Sequence, residues 1–182
     1  MPRGLRRFQQ SHQTHFVTFT CFHRRPNFDA PELYGLFLQT LEAVRRRFAL
    51  CICGYVVMPE HVHLLLSDPD HDRLADAIHD LKLSFAKRAR RLRPAAPAGA
   101  FWQKRYHDRN ERNEQEFGKK LRYLQRNPVK RGLVREPAKW NWSSFRHYAL
   151  REKGVVEIES EWTATDRELH DGATERIFLL PG

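Results

Sequence analysis

The sequence contains few cysteines, and the three that are present do not form a pattern typical of a secreted protein. Cys21, Cys51 and Cys53 are an odd number, and each lies in a hydrophobic stretch without a paired CxxC motif. This usage excludes a disulfide framework and is typical of a reducing compartment, so we predict a cytoplasmic location.

Long hydrophobic runs are absent as well. A membrane-spanning helix needs about 20 apolar residues, and no run in the sequence approaches that length. The basic residues 1–7 are not followed by the apolar segment of a signal peptide. We therefore expect a protein that is neither exported nor embedded in a membrane.

Positive charge is what the chain has in excess. Its 32 Lys and Arg against 22 Asp and Glu give a net charge of +10 over 182 residues, which favours a polyanionic partner, although a basic surface without a function is the alternative. The length fits one domain with its own core. We predict a single domain over residues 1–150, with a basic lead-in at 1–12 and a tail of unassigned role at 151–182.

The hydrophobic pattern predicts an α+β fold. Period-two and helical spacing alternate along the chain in the order strand, helix, strand, strand, helix, strand, helix, with these elements at residues 15–22, 31–48, 50–57, 61–66, 72–92, 101–108 and 111–126. Residues 93–100 read as a Pro- and Ala-rich connector. This order is that of a ferredoxin-like split βαβ arrangement, an antiparallel sheet with helices on one face, to which the last helix is added.

A histidine pair stands out on the third predicted strand, in the sequence HVHLLL. His61 and His63 are two residues apart, so both side chains leave the same face of the strand and can converge on one metal ion. Hydrogen-bonded core histidines are the alternative, but two titratable rings in an apolar strand cost desolvation. Neighbouring Glu60 is either a further ligand or base, or a solvated turn residue.

Cys51 and Cys53 alternate on the neighbouring strand and suggest a rival zinc site. If the hairpin pairs Val57 with His61 and Tyr55 with His63, both cysteines lie too far along it to complete a tetrahedral site. We interpret them as small buried hydrophobic residues.

The last predicted helix carries a tyrosine outside its apolar stripe. Phe117, Leu121 and Leu124 form the stripe, and Tyr123 points roughly 120° away from Phe117 at about 100° per residue. Asn127 follows Tyr123 by one helical turn, and Pro128 predicts that the helix ends at about that point. A helix-capping asparagine and an ordinary half-exposed tyrosine are the alternative.

These motifs together resemble the single-tyrosine HUH transposases, and most closely their REP-associated tyrosine transposase branch. HUH denotes two histidines around a hydrophobic residue. The resemblance covers residues 12–148 and rests on five ordered segments: HFVTFTCFHRRP, GYVVMPEHVHLLL, FWQKRYHD, LRYLQRNPVKRGLV and WNWSSFRHY.

The resemblance implies a specific chemistry. Tyr123 would be the nucleophile, and His61, His63 and Asn127 would hold a divalent metal, Mg or Mn. The reaction would be cleavage and rejoining of single-stranded DNA through a 5′-phosphotyrosine. The implied partner is single-stranded DNA with a hairpin or palindromic repeat, bound by a monomer or a homodimer, and no nucleotide cofactor is implied. Aromatic residues interleaved with Arg and Lys suit the stacking of unpaired bases: Phe101, Trp102, Tyr106, Trp140, Trp142, Phe145 and Tyr148.

Two other functions fit parts of the sequence. A non-catalytic RNA- or single-strand-binding module on a similar sheet would explain the charge, but the sequence has no RNP1-type strand. A histidine phosphoesterase with two HxT motifs is disfavoured because HxH occurs once and Leu64 follows it. The chain also lacks a GxxxxGK[ST] phosphate loop.

Overall fold

The computed structural model describes residues 14–69, 73–94, 99–111 and 114–178, and for residues 110, 111, 114 and 170–178 it describes the backbone alone. The predicted lead-in at 1–12 lies outside these residues, as does half of the predicted connector, residues 95–98. The strands and helices are β1 (Thr14–Cys21), α1 (Pro31–Arg47), β2 (Ile52–Val57), β3 (His61–Ser67), α2 (Leu74–Leu92), β4 (Trp102–Glu111), α3 (Glu114–Lys130), α4 (Phe145–Leu150) and α5 (Glu161–Phe178).

The four strands form one sheet in the order β2-β3-β1-β4. Each neighbouring pair is antiparallel, so the predicted α+β class with an antiparallel sheet is confirmed. The outer edge of β2 is covered by later segments, because Ser143 pairs with Val56 and Ile158 pairs with Ile52. Such cover satisfies backbone groups that an open edge strand would expose.

The two faces of the sheet bury different cores. Val62, Leu64 and Leu66 of β3 belong to the main core. Helices α1 and α2 contribute further residues to this core and contact each other. Leu65 belongs to a smaller cluster under α3, which includes Leu124 of that helix. The strand alternation therefore places His61 and His63, which share the parity of Leu65, on the α3 side.

Two local predictions differ from the structure, one in a helix end and one in a strand register. The helix continues past Pro128 to Lys130. Proline lacks one backbone N–H, but the next turn still forms, because the Arg131 N–H donates to the Asn127 carbonyl at 3.0 Å. The hairpin register is shifted by one residue, since the Met58 N–H donates to the His61 carbonyl and closes a tighter turn. Val56 consequently pairs with His63 in place of Tyr55.

Part of the predicted tail packs on the domain. Val156 and Ile158 are buried in the main core. Buried His147 of α4 bonds to the Ser160 hydroxyl through Nε2 at 2.8 Å and stacks on Trp162 at 4.6 Å between ring centroids. The boundary at residue 150 stays a prediction. Among the described residues, no helix combines the length and apolar character that crossing a bilayer requires.

Candidate active site

The two histidines of β3 lie side by side beneath α3. Their ring centroids are 4.6 Å apart with an interplanar angle of 71°. His63 is the more enclosed of the two, with 6% of its surface exposed. The local sequence explains this placement, because the alternation of HVHLLL directs Val62, Leu64 and Leu66 into the main core and both imidazoles, with Leu65, to the opposite face.

One ring nitrogen of His63 has a hydrogen-bond partner, Thr18 of β1, and the other nitrogen has none. The Thr18 hydroxyl and His63 Nδ1 are 2.7 Å apart, whereas His63 Nε2 is buried and has no hydrogen-bond partner. Burial is the main reason that the pKa of His63 falls to about 3, so the ring is neutral near pH 7. A buried nitrogen without a partner is costly, and a neutral imidazole with a free lone pair is a metal ligand.

His61 lies next to an ion pair between Glu60 and Arg131 at the hairpin turn. Its Nδ1 lies 3.3 Å from Glu60 Oε1, and the Arg131 guanidinium donates to the same carboxylate oxygen. Burial lowers the pKa of His61, and the nearby Glu60 carboxylate opposes that shift. The ion pair between Glu60 and Arg131 therefore connects the segment after α3 to the turn that precedes β3.

Tyr123 lies at the border between α3 and the histidines. Its ring centroid is 5.5 Å from that of His63 and 6.0 Å from that of Phe16, and 41% of the residue is exposed. The Lys130 ammonium lies 5.4 Å from the ring centroid. Leu124, the next residue, is fully buried, so the apolar stripe turns toward the sheet and Tyr123 toward solvent.

A glycine allows α3 to approach the sheet closely. A Cβ on Gly54 of β2 would lie 3.0 Å from Leu121 Cδ1 and 3.4 Å from the Ser144 hydroxyl. A side chain at this position would therefore require the Leu121 side chain of α3 to shift by a few tenths of an ångström.

Asn127 is in α3 one turn after Tyr123 and is 5% exposed. Within the described residues, His, Cys, Asp and Glu side chains form no group of three or more that could hold a metal ion. A metal bound by the histidine pair would thus need an oxygen ligand of another kind, and the Asn127 amide is the candidate on α3. The same observation disfavours the rival cysteine site, since Cys53 is buried in the small apolar cluster under α3.

Sequence reasoning missed Thr18 and Arg131. Thr18 alternates with the buried Val17 and Phe19, which marks its face but not its partner. The partner follows only from the register between β1 and β3, which pairs Thr18 with His63. The Arg131 contact depends on how α3 docks, and no local pattern indicates it.

The aromatic residues proposed for base stacking are largely structural. The set that packs against or within the main core is Phe101, Trp102, Tyr106, Trp140, Trp142 and Tyr148. The Trp140 indole donates to the Val57 carbonyl at 3.0 Å, and the Tyr148 hydroxyl donates to the Cys53 carbonyl at 2.6 Å. Their side chains stabilise the domain, so their number is not evidence of base stacking.

Comparison with known proteins decides the family. The family model described as "Transposase IS200 like" matches residues 8–127. The chain belongs to this transposase family. A REP-associated tyrosine transposase of Escherichia coli (strain K12) is 26% identical to this transposase over 161 residues, which cover 88% of the chain and 92% of the relative. The predicted likeness to that branch is confirmed.

A solved structure shares the fold. The structure of a REP-associated tyrosine transposase bound to a REP hairpin has a TM-score of 0.65 at 23% sequence identity. The match covers 82% of this transposase and 87% of the other chain.

Proposed function

We propose that this transposase cleaves and rejoins single-stranded DNA through a 5′-phosphotyrosine on Tyr123, next to a divalent metal held by His61, His63 and Asn127. The observation that carries the proposal is the exposed phenol ring beside His63, whose buried Nε2 has no partner. The ring of the proposed nucleophile thus lies next to a ring whose ligand atom has no hydrogen-bond partner.

The residues present fit a divalent ion. Two imidazoles and an amide oxygen suit Mn and other transition ions, and Mg favours the oxygen ligands that DNA phosphates add. When bound, such an ion would polarise the scissile phosphate and offset its negative charge. Thr18 serves this site if it accepts the Nδ1 proton of His63, because Nε2 then keeps its lone pair.

The covalent step is an in-line exchange at phosphorus. The Tyr123 oxygen forms a bond to phosphorus while the bond from phosphorus to the 3′ oxygen breaks. The phenol loses its proton to solvent, and the departing 3′ oxygen gains one and leaves as a hydroxyl. Lys130 beside the ring stabilises the negative charge on the phenolate electrostatically. A second 3′-hydroxyl can then attack the phosphotyrosine and reseal the strand, because the phosphodiester is conserved and no nucleotide is consumed.

Hairpin DNA with single-stranded flanks is the proposed substrate. The solved relative is bound to a REP hairpin, and the net charge of +10 suits a polyanion. We expect binding to weaken steeply with salt, as counterions are released from the backbone.

The decisive experiment compares two tyrosine variants on hairpin DNA with Mn or Mg. Tyr123→Phe should bind DNA but form no covalent protein–DNA adduct on a denaturing gel. Tyr106→Phe is the matched control, since Tyr106 packs against the main core, and it should keep the adduct. An adduct that persists in Tyr123→Phe contradicts the proposal, and binding without metal-dependent cleavage in the wild type would leave a non-catalytic nucleic-acid-binding protein.

A further inference from the structure

The sheet face beside the candidate active site continues past α3 to β4, where His107 and Arg109 are exposed. α3 packs on β2 and β3, while β1 and β4 extend the same sheet beyond them. We define the β1 channel as the strip of this face that runs from Lys120 of α3, past the largely buried Phe16 and the half-buried Thr18, to the exposed His107 and Arg109.

Strand register places part of β4 in line with the histidine pair. His63 pairs with Thr18 of β1, and Thr18 pairs in turn with His107 of β4. Directly paired residues project to the same face of a sheet, so these three form one row. Phe16 and Arg109 form the next row on the same face.

The residues between them on β4 support this orientation. Tyr106 packs against the main core on the opposite face. Asp108 accepts a hydrogen bond from the His15 ring at 2.9 Å, and His15 shares the parity of the core residue Val17. His107 and Arg109 are therefore directed to the α3 side, and both are exposed.

Cationic side chains border the channel on both sides. The Lys120 ammonium of α3 lies 4.7 Å from the ring centroid of Phe16, and Tyr123 makes a T-shaped contact with the same ring. Arg109 stands opposite, across β1. The Tyr123 ring thus borders a strip of the sheet that has a positively charged side chain on either side.

The spacing of the sheet determines which phosphate each cation can reach. Neighbouring strands are about 4.8 Å apart, so β4 lies roughly 10 Å from β3. That separation is too long for Arg109 to bind a phosphate held at the histidines, but it suits the next phosphates of the same strand. On the basis of the proposed function, we infer that the DNA strand leaves the cleavage site across β1, with Arg109 binding a backbone phosphate next to the scissile one.

The first measurement is DNA affinity as a function of salt, without metal so that no cleavage occurs. Arg109→Gln should weaken binding of a hairpin with single-stranded flanks about fivefold and reduce the slope of log K against log salt by about 0.7. Arg91→Gln is the control, because Arg91 is exposed on α2 on the other face of the sheet, and it should bind like the wild type. An Arg109→Gln variant with unchanged affinity and slope overturns the inference.

The second measurement locates the phosphate. Single phosphates of the flank are replaced, one at a time, by uncharged methylphosphonates. At one position beside the scissile phosphate, the replacement should weaken wild-type binding about fivefold and Arg109→Gln binding no further. Additive losses at every position show that Arg109 binds none of them and overturn the inference.

The two proposals fail separately. If the wild type forms the Tyr123 adduct but no methylphosphonate position couples to Arg109, the path across β1 is wrong and the cleavage chemistry stands. If coupling is present without an adduct, the channel binds DNA and the cleavage chemistry is wrong.

Discussion

Replacing Thr18 by valine tests whether the strand next to β3 prepares His63 to bind metal. The substitution keeps the branched shape of the side chain and removes the hydroxyl that lies 2.7 Å from His63 Nδ1. Both nitrogens of a ring that is 6% exposed would then lack a partner. The ring would be free to take either tautomer or to rotate.

The expected magnitude follows from this burial. Leaving a buried donor or acceptor unsatisfied costs about 1 to 3 kcal/mol, and a domain of this size loses about 2 to 4 °C of Tm per kcal/mol. Removing the partner that orients a metal-binding histidine weakens metal affinity by about 10- to 100-fold. We therefore expect Thr18→Val to lose at least tenfold in Mn affinity.

Isothermal titration with Mn, together with thermal unfolding, separates the two effects. Thr20→Val is the matched control, because Thr20 lies on the same face of β1 but pairs with His61, and it should keep the wild-type affinity. Thr18→Ser should restore most of the binding, since it keeps the hydroxyl. Wild-type Mn affinity in a folded Thr18→Val protein would refute the reasoning that Thr18 fixes the tautomer of His63.

Three further outcomes are expected. A double-mutant cycle of Glu60→Gln and Arg131→Met, measured by urea unfolding, should give a coupling energy of about 0.5 to 1 kcal/mol, as for a partly exposed ion pair. A coupling energy that 1 M salt leaves unchanged would contradict an electrostatic interaction between the two side chains. Gly54→Val should destabilise the protein by about 1 to 3 kcal/mol through overlap with Leu121 and reduce adduct formation, and a fully active variant would show that α3 docks independently of Gly54. Burial lowers the pKa of His147 to about 4, below its value of 6.5 in the unfolded chain, so stability should be unaffected above pH 6.5 and fall by about 2 to 3 kcal/mol as the pH drops toward 4. His147→Gln should abolish that part of the acid sensitivity, and identical pH profiles would contradict it.

Several features could be predicted because they depend on neighbours along the chain. The alternation of HVHLLL places both imidazoles on one face of β3 whatever the rest of the fold does. The stripe that ends in Leu124 likewise leaves Tyr123 on an exposed side of its helix. The end of that helix was predicted less well, because Pro128 removes one hydrogen bond without preventing another turn.

The sequence by itself determined the α+β class, the histidine pair and the tyrosine outside the apolar stripe, because each depends on a periodicity of two or of about 3.6 residues. Only the tertiary structure decided that Thr18 contacts His63, that Arg131 reaches Glu60, and that most of the aromatic residues are core. Those contacts join residues far apart in the chain, and they depend on strand register and on the docking of α3. Register and docking are set by the packing of both sheet faces at once, which no local segment encodes.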